Sequence, residues 1–312
     1  MAQPAPFTLH PDYTGLVLAY NWGPGIADDV LPRVPVGKQE YRRKEYNKKD
    51  AFSLPDDLVG RKGKPKQIET TSTEVSGLTK DRGFDYPVPV VDIENAGQGE
   101  DLQADAAEFT TQAILRKREK RVADLVMTAA NYAASQKVTL TGNDQWDSGH
   151  ADSDPVEDVD AGKEKILAAD SLYGAVGISG WNAMKKNPKL IQAIRKQAVT
   201  SGILTRREVA DFFELEDLYV GVGRVDTANP GQSATIVRVW PDSFLLFHKN
   251  LSANTRQGTT FGYTAQFGQR TVMTKFDDDM GVRGSHIVRV YESVDEVLWS
   301  DDFAYLISDV AA

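Results

Sequence analysis

Between residues 101 and 135 apolar side chains recur at Leu115, Val122, Leu125, Val126, Ala129 and Ala133, one face of a helix with a period of 3.6. No Pro or Gly interrupts the run, and at 1.5 Å rise per residue it predicts a rod of roughly 45–50 Å. Such a helix must lie across a large surface or act as a strut. Its Ala-rich stripe is too short in heptads for a coiled coil.

The segments before this helix follow other patterns. Residues 1–35 carry Pro4, Pro6, Pro11, Pro24, Pro32 and Pro35, which break any long helix, yet also Phe7, Leu9, Tyr13, Tyr20 and Trp22. The combination predicts an extended arm that buries its side chains on another surface, or one folded back on its own body, with one helical turn at 27–31. Residues 36–90 predict a long β excursion, with a strand near Tyr41 and a Thr-rich return over 67–75. An isolated two-stranded ribbon is marginal in water, so this one should lie on something.

After the helix, 137–141 predicts a short strand. Asp154-Pro155-Val156-Glu157 reads as a capped helix start. The small-residue run 173–179 predicts a strand buried on both faces. Helices follow at 180–184, after Asn187-Pro188, and after the capping box at Thr205-Arg206-Arg207-Glu208. Strands are expected at 218–222, then at 234–240 and 244–248 as an antiparallel pair. The strongly alternating segments 271–276, 285–292 and 296–298 predict one antiparallel sheet. The segment of about 155–260 then reads as an α/β unit inserted into a discontinuous α+β body.

Composition narrows the function. The chain has 312 residues, 41% hydrophobic and 26% charged, enough for two domains with a sizeable core. No apolar run approaches the ~18–20 residues of a membrane span, and the first residues lack a secretory pattern. Cysteine is absent, which excludes disulfides and thiolate metal sites. The net charge of −9 argues against a dedicated nucleic-acid binder. Residues 38–66 hold ten Lys or Arg against five acids, a surplus of +5, so the remainder carries −14. A basic segment on an acidic body can dock on another copy of that body, or remain a solvated hairpin.

Candidate chemistry is thin. His10, His150, His248 and His286 form no metalloprotease spacing. His150 lies near Asp147, Asp152 and Asp154, and Asp277-Asp278-Asp279 is a carboxylate cluster, but a polar loop and a solvated turn account for both. The run 221–226 begins like a dinucleotide turn but lacks the third Gly and a following helix. No enzyme activity, cofactor or metal is expected. The run Arg116, Lys117, Arg118, Lys120 and Arg121 on the long helix could meet phosphate backbone, pair with neighbouring acids, or keep a polar face wet.

Arm, basic ribbon, strut helix and inserted unit together resemble the Hong Kong 97-type major capsid proteins of tailed bacteriophages, whose fold encapsulin shells share. Local wording supports the likeness: Trp146-Asp147 before Asp154-Pro155-Val156-Glu157-Asp158-Val159, Trp181-Asn182-Ala183-Met184 before Asn187-Pro188-Lys189-Leu190, Thr205 to Phe213 before Tyr219-Val220-Gly221, and Val239-Trp240 before Phe244-Leu245-Leu246. The resemblance implies an N-terminal arm (1–35), an extended loop (36–90), a peripheral domain (91–150 and 261–312) with a spine helix at 101–135, and an axial domain (151–260). It implies a shell of pentamers and hexamers around double-stranded DNA, in a virion assembled in the host cytoplasm. A portal, a decoration protein and a separate scaffolding protein are the implied partners, the last because no long charged helical segment precedes the arm. Lys38, Arg42, Arg43, Lys48, Lys49, Arg61, Lys62 and Lys64 would make loop contacts between subunits, and Phe7, Leu9, Tyr13, Tyr20 and Trp22 arm contacts. Arg116, Lys117, Arg118, Lys120 and Arg121 would face DNA. An encapsulin compartment with protein cargo, and a metal-dependent hydrolase using Asp277 to Asp279, stand as rivals.

Overall fold

The computed structural model describes residues 8–9, 25–46, 53–59, 61–65, 67–69, 71–97, 99–150, 152–167, 171–195, 201–229, 231–252 and 259–312. In chain order the first elements are β1 (Thr8–Leu9), α1 (Ala27–Val30), β2 (Arg33–Val36), β3 (Glu40–Tyr46), β4 (Ser72–Leu78), β5 (Lys80–Pro89), α2 (Val90–Asn95) and α3 (Leu102–Val126). Next come β6 (Lys137–Thr139), α4 (Pro155–Lys165), β7 (Leu172–Gly177), α5 (Ile178–Met184), α6 (Pro188–Arg195) and α7 (Arg206–Phe212). The last are β8 (Asp217–Gly221), β9 (Arg224–Asp226), β10 (Ile236–Arg238), β11 (Phe244–His248), β12 (Gly262–Asp277), β13 (Ser285–Leu298) and β14 (Ala304–Ser308).

The strut helix α3 starts where the sequence places it. The Asp101 carboxylate accepts the N–H groups of Gln103 and Ala104, each at 3.1 Å. It ends earlier than the apolar period predicts. Its 25 residues make about 37 Å rather than 45–50 Å. The Asn131 side chain donates to the Leu125 carbonyl and the Tyr132 hydroxyl to that of Val126, satisfying acceptors that a further turn would have used. Tyr132 is buried and stacks on Phe261 at 6.1 Å. Core packing thus takes 127–135 away from a helix that propensity alone would continue.

Two five-stranded sheets flank α3. The first has the order β1-β12-β13-β5, with β2 also paired to β12 in parallel. Val88, Val272, Val288 and Val290 pack on Ala106, Ala107 and Ile114 of α3. The expected strands at 285–292 and 296–298 are one continuous β13. The second sheet runs β6-β14-β11-β7-β8. Its strand β11, FLLFH, is buried throughout because both faces are covered. Phe244 and Leu246 point into the layer of α4 to α7, whereas Leu245 and Phe247 point toward α3 and Trp240. The C-terminal strand β14 and the early β6 belong to this sheet, in parallel pairing with each other.

Two strand expectations are corrected. Residues 236–238 pair with 224–226, not with 244–248. The strand pair at the base of the ribbon joins 40–46 to 72–78, and β5 leaves it to become the edge of the first sheet, where Pro87 and Pro89 cost no ladder bond.

Gly177 shows how tightly the second sheet is built. A Cβ there would lie 1.9 Å from the Pro241 carbonyl oxygen. Gly177→Ala is expected to destabilise the chain by at least about 1–3 kcal/mol, read as a lowered midpoint in chemical denaturation. Gly149→Ala, where a Cβ meets nothing within 4 Å, should stay within about 0.5 kcal/mol.

Candidate functional site

The acids around Trp146 and His150 have structural tasks. Asp154 accepts the Val156 and Glu157 N–H groups and pairs with Lys189 at 3.2 Å. Asp158 accepts the Trp146 indole N–H at 2.8 Å, and Asp147 accepts the Ala312 N–H at 2.7 Å. The run 221–226 passes from β8 to β9, where Gly221 lies against the Trp240 ring. Asp277, Asp278 and Asp279 bring one carboxylate oxygen each within 4.8 Å of the others, on the largely exposed turn between β12 and β13.

A dense polar constellation lies on the buried face of α3. Glu119 accepts the N–H of Ile26 at 2.8 Å, that of Ala27 at 2.9 Å, and the Trp240 indole N–H at 2.6 Å. Burial pushes its carboxyl above the usual value, and these three donors work against that. Arg118, 1% exposed, donates to the Leu31 carbonyl and the Thr264 hydroxyl and pairs with Asp28 at 2.9 Å. Asp28 also holds Arg33 at 2.8 Å. Arg33 in turn pairs at 2.9 Å with Glu292, whose side chain is wholly buried and also meets Arg270 at 3.4 Å. Burial raises the Asp28 and Glu292 carboxyls, but the arginines around them bring both below their usual values.

A third contact comes from Lys249. Its ammonium donates to the Asp29 carbonyl and the Tyr219 hydroxyl, both at 2.8 Å, and lies 4.1 Å from the Tyr173 ring centre. Segment 25–36 is therefore fastened to α3, to the first sheet and to the second. In chain order β1 precedes this clamp and the strand pair β3–β4 follows it. Sequence reading missed the clamp, although 118 and 119 fall three and four residues from Leu115 and Val122, on the apolar face of the helix.

The predicted contact residues divide. Arg118 is not a DNA-facing residue, because it is spent inside the clamp. Arg121 pairs with the mostly buried Glu296 at 2.6 Å, and Lys120 with Asp124. Arg116 is half-buried, leaving Lys117 as the exposed cation of the run. In the ribbon, Arg43 donates to the Leu298 carbonyl and pairs with Glu45, so its guanidinium serves its own chain. Tyr41 beside it donates to Asp295 at 2.8 Å. Arg42 reaches Glu74 across the strand pair at 3.2 Å. Lys38, Arg61, Lys62 and Lys64 are exposed. Of the arm residues, Leu9 pairs through its backbone with Met273 of the same chain. Phe7, Tyr13, Tyr20, Trp22, Lys48 and Lys49 lie outside the described residues.

The clamp predicts an acid limit to stability. Glu292 and Asp28 titrate below their ordinary values in the fold, so their contribution is complete above the ordinary carboxylate range. It is lost as pH falls below 4.5, the ordinary value for Glu292. Glu119 acts in the other direction and at higher pH, because its raised carboxyl costs stability as pH climbs above 4.5. Glu292→Gln leaves Arg33 and Arg270 without their buried counter-charge and should cost about 3–5 kcal/mol at neutral pH. Melting curves between pH 6 and pH 3, at ordinary buffer spacing of about one unit, should show a shallower acid slope for this variant than for the parent.

Comparison with known proteins places the whole arrangement. No family model matches the chain. The major capsid protein of Pseudomonas phage JBD67 is 36% identical over 308 residues, covering 99% of each chain. That of Burkholderia phage BcepMu is 25% identical, covering 97% of this chain and 96% of its own. Among solved structures, a phage-related protein from Bordetella bronchiseptica RB50 matches with a TM-score of 0.74 at 21% identity, over 98% of this chain and 99% of its own. The capsid of Cyanophage P-SCSP1u matches at 0.58 and 11% identity, over 92% and 88%. An encapsulin complex of Synechococcus elongatus PCC 7942 matches at 0.52 and 13%, over 91% and 86%. With a close relative aligned from end to end and phage capsid structures sharing its α+β fold of the Hong Kong 97 type, the chain belongs to the family of phage major capsid proteins.

Proposed function

We propose that this chain assembles, through pentamers and hexamers, into an icosahedral head shell that encloses packaged double-stranded DNA. The observation that carries the proposal is the ribbon tip. Leu54, Leu58 and Ile68 are 98%, 81% and 70% exposed among basic residues. Apolar side chains held out in this way need a neighbouring surface. A closed shell repeats that contact many times, so weak rim pairs add through avidity.

In this reading residues 1–35 are the arm and 36–90 the extended loop, with β5 fixing its return. Residues 91–150 and 261–312 form the peripheral domain and 151–260 the axial domain. The second sheet, through β6 and β14, is the seam between them. A separate scaffolding protein, a portal and a decoration protein are the proposed partners, and assembly takes place in the host cytoplasm before the protein enters the virion. The proposed DNA enclosure rests on the family. The basic run of α3 adds little to it, since Arg118, Lys120 and Arg121 are engaged within the chain.

The encapsulin reading has the same shell and a different content. Purified protein, expressed with and without its scaffolding partner, is expected to give closed particles by electron microscopy and light scattering. Particles from infected cells should hold nuclease-protected DNA. Enzyme cargo in place of DNA would favour the compartment reading, and a chain that stays monomeric with scaffold present would overturn both.

A further inference from the structure

Between Asp170 and Glu208 the chain has seven Lys or Arg and no acidic residue, in a protein whose net charge is −9. The fold gathers two parts of this stretch. Helix α5 stops at Met184, and the Asn187 side chain fixes the turn that follows. It donates to the Trp146 carbonyl at 3.1 Å and accepts the N–H groups of Lys189 and Leu190. The chain returns after α6, and the Leu204 N–H donates to the Lys185 carbonyl at 3.1 Å. That bond sets Thr205 and Arg206 close to Lys185 and Lys186. Leu190, Ile191 and Leu204 are buried, whereas Lys186 and Arg206 are exposed and Lys185 is half-buried.

Three nearby cations have acids in reach. Lys189 pairs with Asp154 at 3.2 Å, Arg195 with Glu208 at 2.9 Å and Arg207 with Asp211 at 3.8 Å. Among the described residues no ion pair holds Lys185, Lys186 or Arg206. Helix stability does not account for all of this charge. Lys185 and Lys186 follow the C-terminal end of α5, where the helix dipole favours a cation, but Arg206 and Arg207 open α7, where it opposes one.

We infer that the face around Lys185, Lys186 and Arg206 meets the phosphate backbone of the double-stranded DNA inside the shell. The inference rests on the reading of a DNA-filled shell and names the surface that touches the content. It moves that contact away from α3, whose Arg118, Lys120 and Arg121 are engaged. Exposed Lys and Arg neutralise phosphates and release counterions without reading bases, which is the chemistry unpaired cations offer. Surface pairs such as those of Lys189 and Arg207 are worth little, so these cations remain available to the same anion. An acidic protein fits less well. The centre of a protein interface is poor in Lys and apolar. Ile203, 66% exposed, is an apolar side chain next to Leu204 in this return segment, and single exposed apolar residues are ordinary.

The test replaces the parent chain by one carrying Lys186→Glu with Arg206→Glu and measures nuclease-protected DNA per particle from infected cells. Closed shells with several-fold less protected DNA are expected. Lys186→Gln with Arg206→Gln should fall between this variant and the parent, and Lys186→Arg should match the parent. Parental DNA content in the charge-reversed shells would overturn the inference and leave the shell reading intact. Parent shells that hold no DNA would remove that reading, and the inference with it. If neither double variant forms shells although both melt at the parental midpoint, the face is a contact between copies and the inference is overturned. Direct binding supplies a second readout. When the purified chain is titrated with a duplex of about 30 base pairs, the charge-reversed variant should lose about two from the slope of log affinity against log salt. Polyglutamate that displaces the duplex at equal charge concentration would assign the face to an acidic protein instead and overturn the DNA contact.

Discussion

Glu119 is a carboxylate in the interior with three N–H donors around it, two from the backbone at Ile26 and Ala27 and one from Trp240. A buried charge of this kind is tolerated only when its acceptor capacity is met. The first turn of α1, the middle of α3 and the Trp240 indole must therefore hold one relative position. Arg118 imposes the same demand one residue earlier, through Leu31, Thr264 and Asp28. Neighbouring side chains of opposite charge thus fix the segment where the arm ends and the ribbon begins.

The two sheets depend on that helix in different ways. The first lays valines of β12, β13 and β5 along the N-terminal half of α3. The second meets its C-terminal half through Leu245, Phe247 and Leu306, with Trp240 between. The clamp sits between these contacts, where helix and both sheets converge. Lys249 completes the connection by donating to Asp29 and Tyr219. The base of the ribbon is supported where Tyr41 and Arg43 reach Asp295 and the Leu298 carbonyl. Beyond that base its described tip residues are exposed.

Local signals in the sequence were reliable where local chemistry decides. The Asp154 cap, the Thr205 capping box and the Asn187-Pro188 helix start all lie where their residues indicate, because each is settled by bonds within four positions. The buried β11 and β7 were legible from unbroken apolar or small-residue runs. What was not legible depended on distant partners. The helix stops at Val126 because Tyr132 packs on Phe261, 129 positions away in the chain. Strand 236–238 takes 224–226 rather than its apparent neighbour. Arg118 read as surface charge because the sequence shows a basic run, while its partners Leu31 and Thr264 lie 87 and 146 residues away.

Amide hydrogen exchange at Ile26 and Ala27 tests the clamp most directly. Their N–H groups face a buried acceptor that only an opening of segment 25–36 from α3 can release. The account predicts that both exchange as slowly as core amides of α3 such as Val122, and that Glu119→Gln accelerates them while Val122 changes far less. Exchange at the rate of an exposed loop in the parent protein would contradict it, and would mean that segment 25–36 is not anchored to α3.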